Sequence, residues 1–241
     1  VFRFVQALDA CVTMADIGIP AAAGPFVASG DLLRLSRRPA SHRGDHGDVL
    51  VVGGGPYTGA PALAAQAALR AGADLVRVAC PDAIASDVQG YAEDLIVHGY
   101  EGRRLASDHV DEVLARAQEH DTVVFGPGLG DHDATLDAVA SFLERYDGTA
   151  VVDADALQVV PEVETDATLV CTPHQGELRA MGGETADDPE RRASLVESFA
   201  TEVGHTLLVQ GAEDVISDGE STRRNRTGNP GMTVGGTGDV L

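Results

Sequence analysis

Short runs of apolar, largely β-branched residues alternate along this chain with longer alanine- and leucine-rich stretches. That alternation predicts βαβ units and a mostly parallel central sheet flanked by helices, an α/β fold. Strands are expected at 49–52, 75–79, 122–125, 150–152, 168–171 and 206–209. Helices are expected at 60–71, 108–119, 134–145 and 189–202, the last opening with Pro189, which suits a first helical turn. Beyond 209 the pattern shortens into pieces at 214–218 and 221–225 around Gly219, the signal of a turn and an antiparallel sheet edge. Residues 1–40 follow neither rhythm and read as a fragment plus a linker, which leaves 41–241 as the main domain. No internal repeat is visible.

Composition changes the picture in two ways. With 241 residues and 44% hydrophobic side chains, the chain can bury a sizeable core as one full domain, or one domain plus a remnant. Its net charge is −21, and all 17 basic residues are arginine. A self-repelling acidic surface predicts a salt-adapted cytoplasmic protein, and it argues against nucleic acid or an anionic membrane as partner. Cys11, Cys80 and Cys171 are odd in number and lack a paired spacing, so buried free thiols are expected. There is neither an apolar run of about 18 residues nor an export-type amino terminus. The chain begins with Val1, has its first methionine at Met14, and stops two residues after Asp239; both ends read as cut, with C-terminal helices expected to be missing.

The candidate chemistry lies in the loops that follow the strands, because an open parallel sheet binds ligands beyond the carboxyl ends of its strands. Gly235-Gly236-Thr237-Gly238-Asp239 reads as a phosphate cradle ending in a carboxylate: small glycines let N–H groups turn toward an anion, and Asp239 can accept a hydroxyl proton. Gly53-Gly54-Gly55 opens the first main helix, but the third spaced glycine, Gly59, comes one residue late for a dinucleotide fingerprint, and Pro81 stands where a ribose-binding acid belongs. Gly126-Pro127-Gly128-Leu129-Gly130 offers bare backbone to a flat ligand. Asp153 and Asp155 follow the next strand and read as two carboxylates on one side of an extended segment; a helix N-cap is the competing role for Asp155. His174 and Glu177 stand three residues apart at a helix start, where a capping box competes with function. The other seven histidines show no zinc spacing to His174.

Taken in order, these motifs resemble the ADP- or ATP-dependent NAD(P)H-hydrate dehydratases of the ribokinase-like superfamily. The resemblance runs from Gly47-Asp48-Val49 through Tyr57-Thr58-Gly59-Ala60-Pro61, Gly126 to Gly130, Asp153-Ala154-Asp155-Ala156-Leu157 and Thr172 to Glu177, and on to Gly228-Asn229-Pro230-Gly231 and Asp239. Ala15-Asp16-Ile17-Gly18-Ile19-Pro20 resembles the last strand of the epimerase domain that precedes the dehydratase in bifunctional members. The resemblance implies a three-layer ribokinase-like sandwich, incomplete at the C-terminus. It implies dehydration of (6S)-hydrated NADH or NADPH with release of phosphate, ADP going to AMP, with Mg²⁺ as cofactor. Asp239 would be the base, and the amides of Gly236, Thr237 and Gly238 would hold developing charge. The hydrate would contact Ala60, Gly128, His174 and Asp239. The adenine nucleotide would meet Gln210, Gly211, Ala212, Glu213, Asp214 and Gly238, and Glu177 would hold Mg²⁺ through water. Relatives often carry lysine where Gln210 stands, so the nucleotide would rely on backbone amides, Mg²⁺ and Arg226. A homo-oligomer, with tetramers common in the family, is a further implication of the resemblance. Two rivals stand beside it: a vitamin-precursor kinase of the same superfamily, and an inactive nucleotide-binding module.

Overall fold

The computed structural model describes residues 24–28, 30–31 and 39–241. Its centre is a nine-stranded sheet built from β1 (Asp48–Val52), β2 (Leu75–Pro81), β3 (Ile96–Tyr100), β4 (Thr122–Phe125), β5 (Thr149–Val152), β6 (Thr168–Cys171), β7 (Thr206–Val209), β8 (Asp214–Ser217) and β9 (Thr222–Asn225). The spatial order is β3-β2-β1-β4-β5-β6-β7-β8-β9; β1 to β7 run parallel and β8 and β9 antiparallel. The chain therefore winds outward in one direction from β1 to β3 and in the other from β4 onward. The crevice between β1 and β4 is the topological switch point, the place where doubly wound sheets bind ligands.

The helices are α1 (Gly59–Ala71), α2 (Asp82–Gln89), α3 (Val110–Ala117), α4 (Asp133–Leu143), α5 (Gln175–Ala180), α6 (Pro189–Val203) and the single turn α7 (Thr237–Val240). Helix α1 buries Pro61, Ala62, Ala64 and Ala65, small side chains that let it approach the sheet closely, and it ends at Gly72 in the left-handed region (φ 118°). Helix α6 starts as expected: Asp188 caps it by accepting the Arg191 N–H at 2.8 Å, and Pro189 follows.

Strand register explains where the core sits. Val52, Phe125, Val152 and Cys171 are aligned neighbours across β1, β4, β5 and β6, all with no exposed area, and they face the larger core under α3, α4 and α6. Within it the Phe125, Phe142 and Tyr146 rings are in contact, with centroids 4.5 and 5.1 Å apart. On the opposite face α1 and α2 cover β1 and β2 in a second, smaller core that includes Val51, Val78 and Cys80. From β4 to β8 buried positions alternate with partly buried or exposed ones, so that face is less covered there among the described residues. The expected α/β fold, a mostly parallel sheet flanked by helices, is the one observed.

Two elements escaped the sequence pattern. Strand β3 carries Gly99 and an exposed Ile96, and α2 buries only Val88, so neither shows a clear period. Gly99 is required by a close approach, since a Cβ there would stand 1.7 Å from Asp82 Oδ1. Residues expected to be linker dock instead on the sheet: Phe26 bridges to Arg224, with Val27 N–H donating to Arg224 O at 2.8 Å and Arg224 N–H donating to Pro25 O at 2.7 Å. Cys80 and Cys171 are buried free thiols, and burial pushes them to about 11 and about 12. Cys11 and the segment 15–20 lie outside the described residues. No helix among the described residues is long and apolar enough to cross a membrane.

Candidate active site

Three glycine-bearing loops meet at the carboxyl edge of the sheet. Gly54 N–H donates to Pro127 O at 2.8 Å, and a Cβ on Gly53 would fall 2.4 Å from the same oxygen, so the loops after β1 and β4 touch across the switch point. Gly128 (φ 73°) packs on α1, where a Cβ would come within 3.2 Å of the Ala60 Cβ. Ala60 and Gly128, taken from different motifs, are thus brought together. Gly236 (φ 87°) starts α7 in the left-handed region, and a Cβ there would reach 2.9 Å from Leu63 Cδ1 and 4.0 Å from Asp239 Oδ2. Only glycine permits that turn against α1.

Asp239 is half-buried, and its carboxyl is pushed up first by burial and then by the negative charge of Asp153. Asp153 itself is raised chiefly by burial, although the Thr172 hydroxyl donates to its Oδ1 at 2.7 Å and favours the charged form. The ends of β5 and β6 and the C-terminal turn therefore converge on a carboxylate pair. The two carboxylates after β5 do not share an extended segment: Ala154 has φ 53°, which turns the chain at once into a 3₁₀ run over Ala154–Glu162. The cap position falls on Asp153 rather than Asp155, and Asp155 lies against Gly130, whose N–H it accepts.

His174 caps α5. Its Nδ1 accepts the N–H groups of Gly176 and Glu177, both at 2.9 Å, and Glu177 Oε2 accepts the His174 N–H at 2.8 Å. The capping box is real, and it also fixes the imidazole: Nδ1 is an acceptor, so Nε2 carries the proton on a side chain that is largely exposed. Cap and ligand donor are compatible roles here.

In the 210–214 loop the side chains turn inward. Gln210 Nε2 donates to Thr172 O at 2.7 Å and its N–H to Pro173 O at 2.9 Å, tying β7 to the His174 loop. Asp214 accepts Gly211 N–H and Asn225 Nδ2, both at 3.0 Å. Glu213 pairs with Arg226 and with Arg224, whose Nε lies 3.2 Å from Oε1 without hydrogen-bond alignment. Both guanidiniums lie over the Phe26 ring, 4.6 and 3.9 Å from its centroid. Arg226 thus rests on Glu213 and Phe26 with its side chain still largely exposed, and Gly211 and Ala212 offer backbone. Sequence reasoning missed Phe26 because it belongs to none of the motifs that follow the strands, and missed the Leu63 support of Gly236 because it is a plain helical leucine.

Among the described residues no cluster of three metal-ligating side chains exists. Glu177 has one oxygen in the capping box and one outside it, which suits a hard cation held mostly by water and phosphate.

Comparison with known proteins agrees with this arrangement. The family profile for NAD(P)H-hydrate dehydratase matches residues 49–241. The bifunctional NAD(P)H-hydrate repair enzyme Nnr of Pyrobaculum aerophilum is 43% identical over 231 residues, 93% of this chain and 46% of that protein. Its counterpart in Methanothermobacter thermautotrophicus is 41% identical over 240 residues, 95% of this chain and 46% of that protein. The chain spans about half the length of these relatives. In fold it is similar to the ADP/ATP-dependent NAD(P)H-hydrate dehydratase of Bacillus subtilis, co-crystallised with ATP/Mg²⁺, with a TM-score of 0.74 and 23% identity over 90% of this chain and 77% of that one. A ribokinase-like superfamily protein of Enterococcus faecalis gives a TM-score of 0.74 at 22% identity over 88% of this chain and 75% of that one. With the switch-point glycines, the carboxylate pair and a profile match over most of its length, this chain belongs to the NAD(P)H-hydrate dehydratase family.

Proposed function

We propose that the protein converts hydrated NADH or NADPH, which carries a hydroxyl at C6 of the nicotinamide ring, back to the reduced cofactor at the expense of ADP or ATP. The observation that carries this reading is Asp239: a half-buried carboxylate, raised by burial and by Asp153, on a turn that only glycine permits. A base raised toward neutrality accepts a hydroxyl proton more readily. Asp239 takes the C6 hydroxyl proton as that oxygen attacks the terminal phosphoryl group, and the bond to the nucleoside phosphate breaks. Phosphate then leaves C6 with the C–O electron pair, and loss of a proton from the neighbouring ring carbon restores the double bond.

The Thr237 amide and hydroxyl are turned toward Val234 O, at 3.4 and 2.9 Å, so the proposed charge-holding donors are the Gly236 and Gly238 amides. Ala60 and Gly128 provide a flat wall for the ring, and the His174 Nε2–H donates to the hydrate. The nucleotide rests on the backbone of Gly211 and Ala212. Mg²⁺, when bound near Glu177, neutralises phosphate charge. The acidic composition supports a salt-adapted, cytoplasmic setting.

The test is recovery of dihydronicotinamide absorbance from chemically prepared NADH hydrate with Mg²⁺ and either ADP or ATP in high salt. Recovery that requires nucleotide and is lost in Asp239→Asn supports the reading. A stable phosphorylated alcohol as product would favour a vitamin-precursor kinase instead.

A further inference from the structure

The switch-point crevice continues into a cavity of about 320 Å³ that the chemistry above leaves unused. One wall is the backbone of Gly55, Leu129 and Gly130; the other carries Arg103, Arg104 and His132. In a chain of net charge −21, Arg77, Arg116, Arg145, Arg223, Arg224 and Arg226 are ion-paired, whereas other described arginines such as Arg70, Arg179 and Arg191 are not. Arg103 and Arg104 form no ion pair among the described residues, although Asp131 lines the same cavity. His132 Nδ1 accepts the Ala134 N–H at 3.2 Å, which leaves Nε2 as a donor.

The loop that carries these arginines is held on both sides. Gly102 (φ 103°) accepts the Ala83 N–H at 3.3 Å, and Leu105 O accepts the hydroxyl of the fully buried Thr135 at 3.0 Å. A Cβ on Gly55 would stand 3.8 Å from Arg103 O and 3.1 Å from Leu129 O, so the arginine loop lies directly on the glycine wall. Leu129 and Gly130 continue from Gly128, the partner of Ala60. A dinucleotide with its ring against Ala60 and Gly128 has its phosphates within one nucleotide length, and exposed guanidinium donors on a held backbone suit phosphate oxygens.

We propose that this cavity is the phosphate subsite of the dinucleotide hydrate, with Arg103 and Arg104 as binding residues and His132 as a further donor. The proposal rests on the dehydratase reading above. The two candidate groups are the diphosphate bridge, shared by both hydrates, and the 2′-phosphate, present only in NADPH hydrate.

The experiment compares wild type with R103A/R104A and R103K/R104K, measuring KM and kcat for each hydrate and KM for ADP. KM for hydrate should rise roughly tenfold or more in R103A/R104A, the scale of lost charge-assisted hydrogen bonds, and recover in part in R103K/R104K. KM for ADP should stay within about twofold, since the nucleotide occupies the 210–214 loop. An equal rise for both hydrates assigns the diphosphate; a rise for NADPH hydrate alone assigns the 2′-phosphate. Unchanged KM for both hydrates overturns the subsite. Calorimetric titration with NADH and NADPH reads the subsite apart from turnover. Arginine-dependent binding without turnover in wild type would sink the dehydratase reading and keep the subsite, whereas turnover with arginine-independent binding would do the reverse.

Discussion

Val78, Val51, Val124, Val151 and Val170 are aligned neighbours across β2, β1, β4, β5 and β6. Val78 and Val51 are wholly buried under α1 and α2, Val124 is partly buried against the same core, and Val151 and Val170 beyond it are partly buried. The same residue type in the same row of one sheet thus lies, among the described residues, in a sealed region and a more open one. The difference follows what packs on top. The sealed half supplies fixed walls, Gly53 to Gly55 and Ala60; the open half supplies the groups proposed to react, Asp153, Thr172, His174 and Asp239.

The sharpest way to break this division is Asp239→Asn. It should lower kcat by about 10²- to 10⁴-fold, the usual contribution of a positioned base, with little change in thermal midpoint. Loss of stability on a comparable scale belongs to the larger core on the opposite face of the sheet. Phe125→Ala should cost about 3–5 kcal/mol in a denaturant titration, because Phe125 is fully buried among Phe142 and its strand neighbours. Val170→Thr, on the open face of β6, should stay within about 1 kcal/mol in the same titration. A large cost there would mean that this face is covered in solution.

Asp153→Asn tests how the halves are coupled. Removing its charge should lower the Asp239 pKa, moving the acid limb of kcat to lower pH while the Thr172 hydroxyl keeps an acceptor. The stability consequence has a definite sign. Asp153 is raised above its ordinary 3.8, so the folded state retains a proton that the unfolded chain releases. That contribution is complete below the unfolded value and is lost as pH rises through the folded one. Asp153→Asn should flatten this slope and leave the protein slightly more stable at neutral pH. A thermal melt series between pH 4 and 8 reads it.

How much of this was legible depended on period. Strands β4, β6 and β7 are short apolar runs flanked by turn residues, and their observed limits are those the pattern gives. Strand β3 was illegible because Gly99 answers to Asp82 on the preceding helix α2 rather than to any local rhythm. Among candidate site residues, Ala60 with Gly128 and Asp239 with Asp153 were recognisable as motif members, but their adjacency follows from strand order. Glu213 and Arg226 read as ligand groups in isolation. Their pairing, and the contact of Arg226 with Phe26 almost two hundred positions away in the chain, could not be read from the sequence.

The strip from Pro25 to Val27 has one more consequence. A terminal strand normally displays unpaired N–H and C=O groups that can recruit a strand from another molecule. Here the Arg224 N–H and C=O groups on β9 are already engaged by Pro25 and Val27, and three arginine side chains crowd the same border. Strand addition at Arg224 is thereby blocked, so the outer border of β9 is interrupted at its middle for any incoming strand.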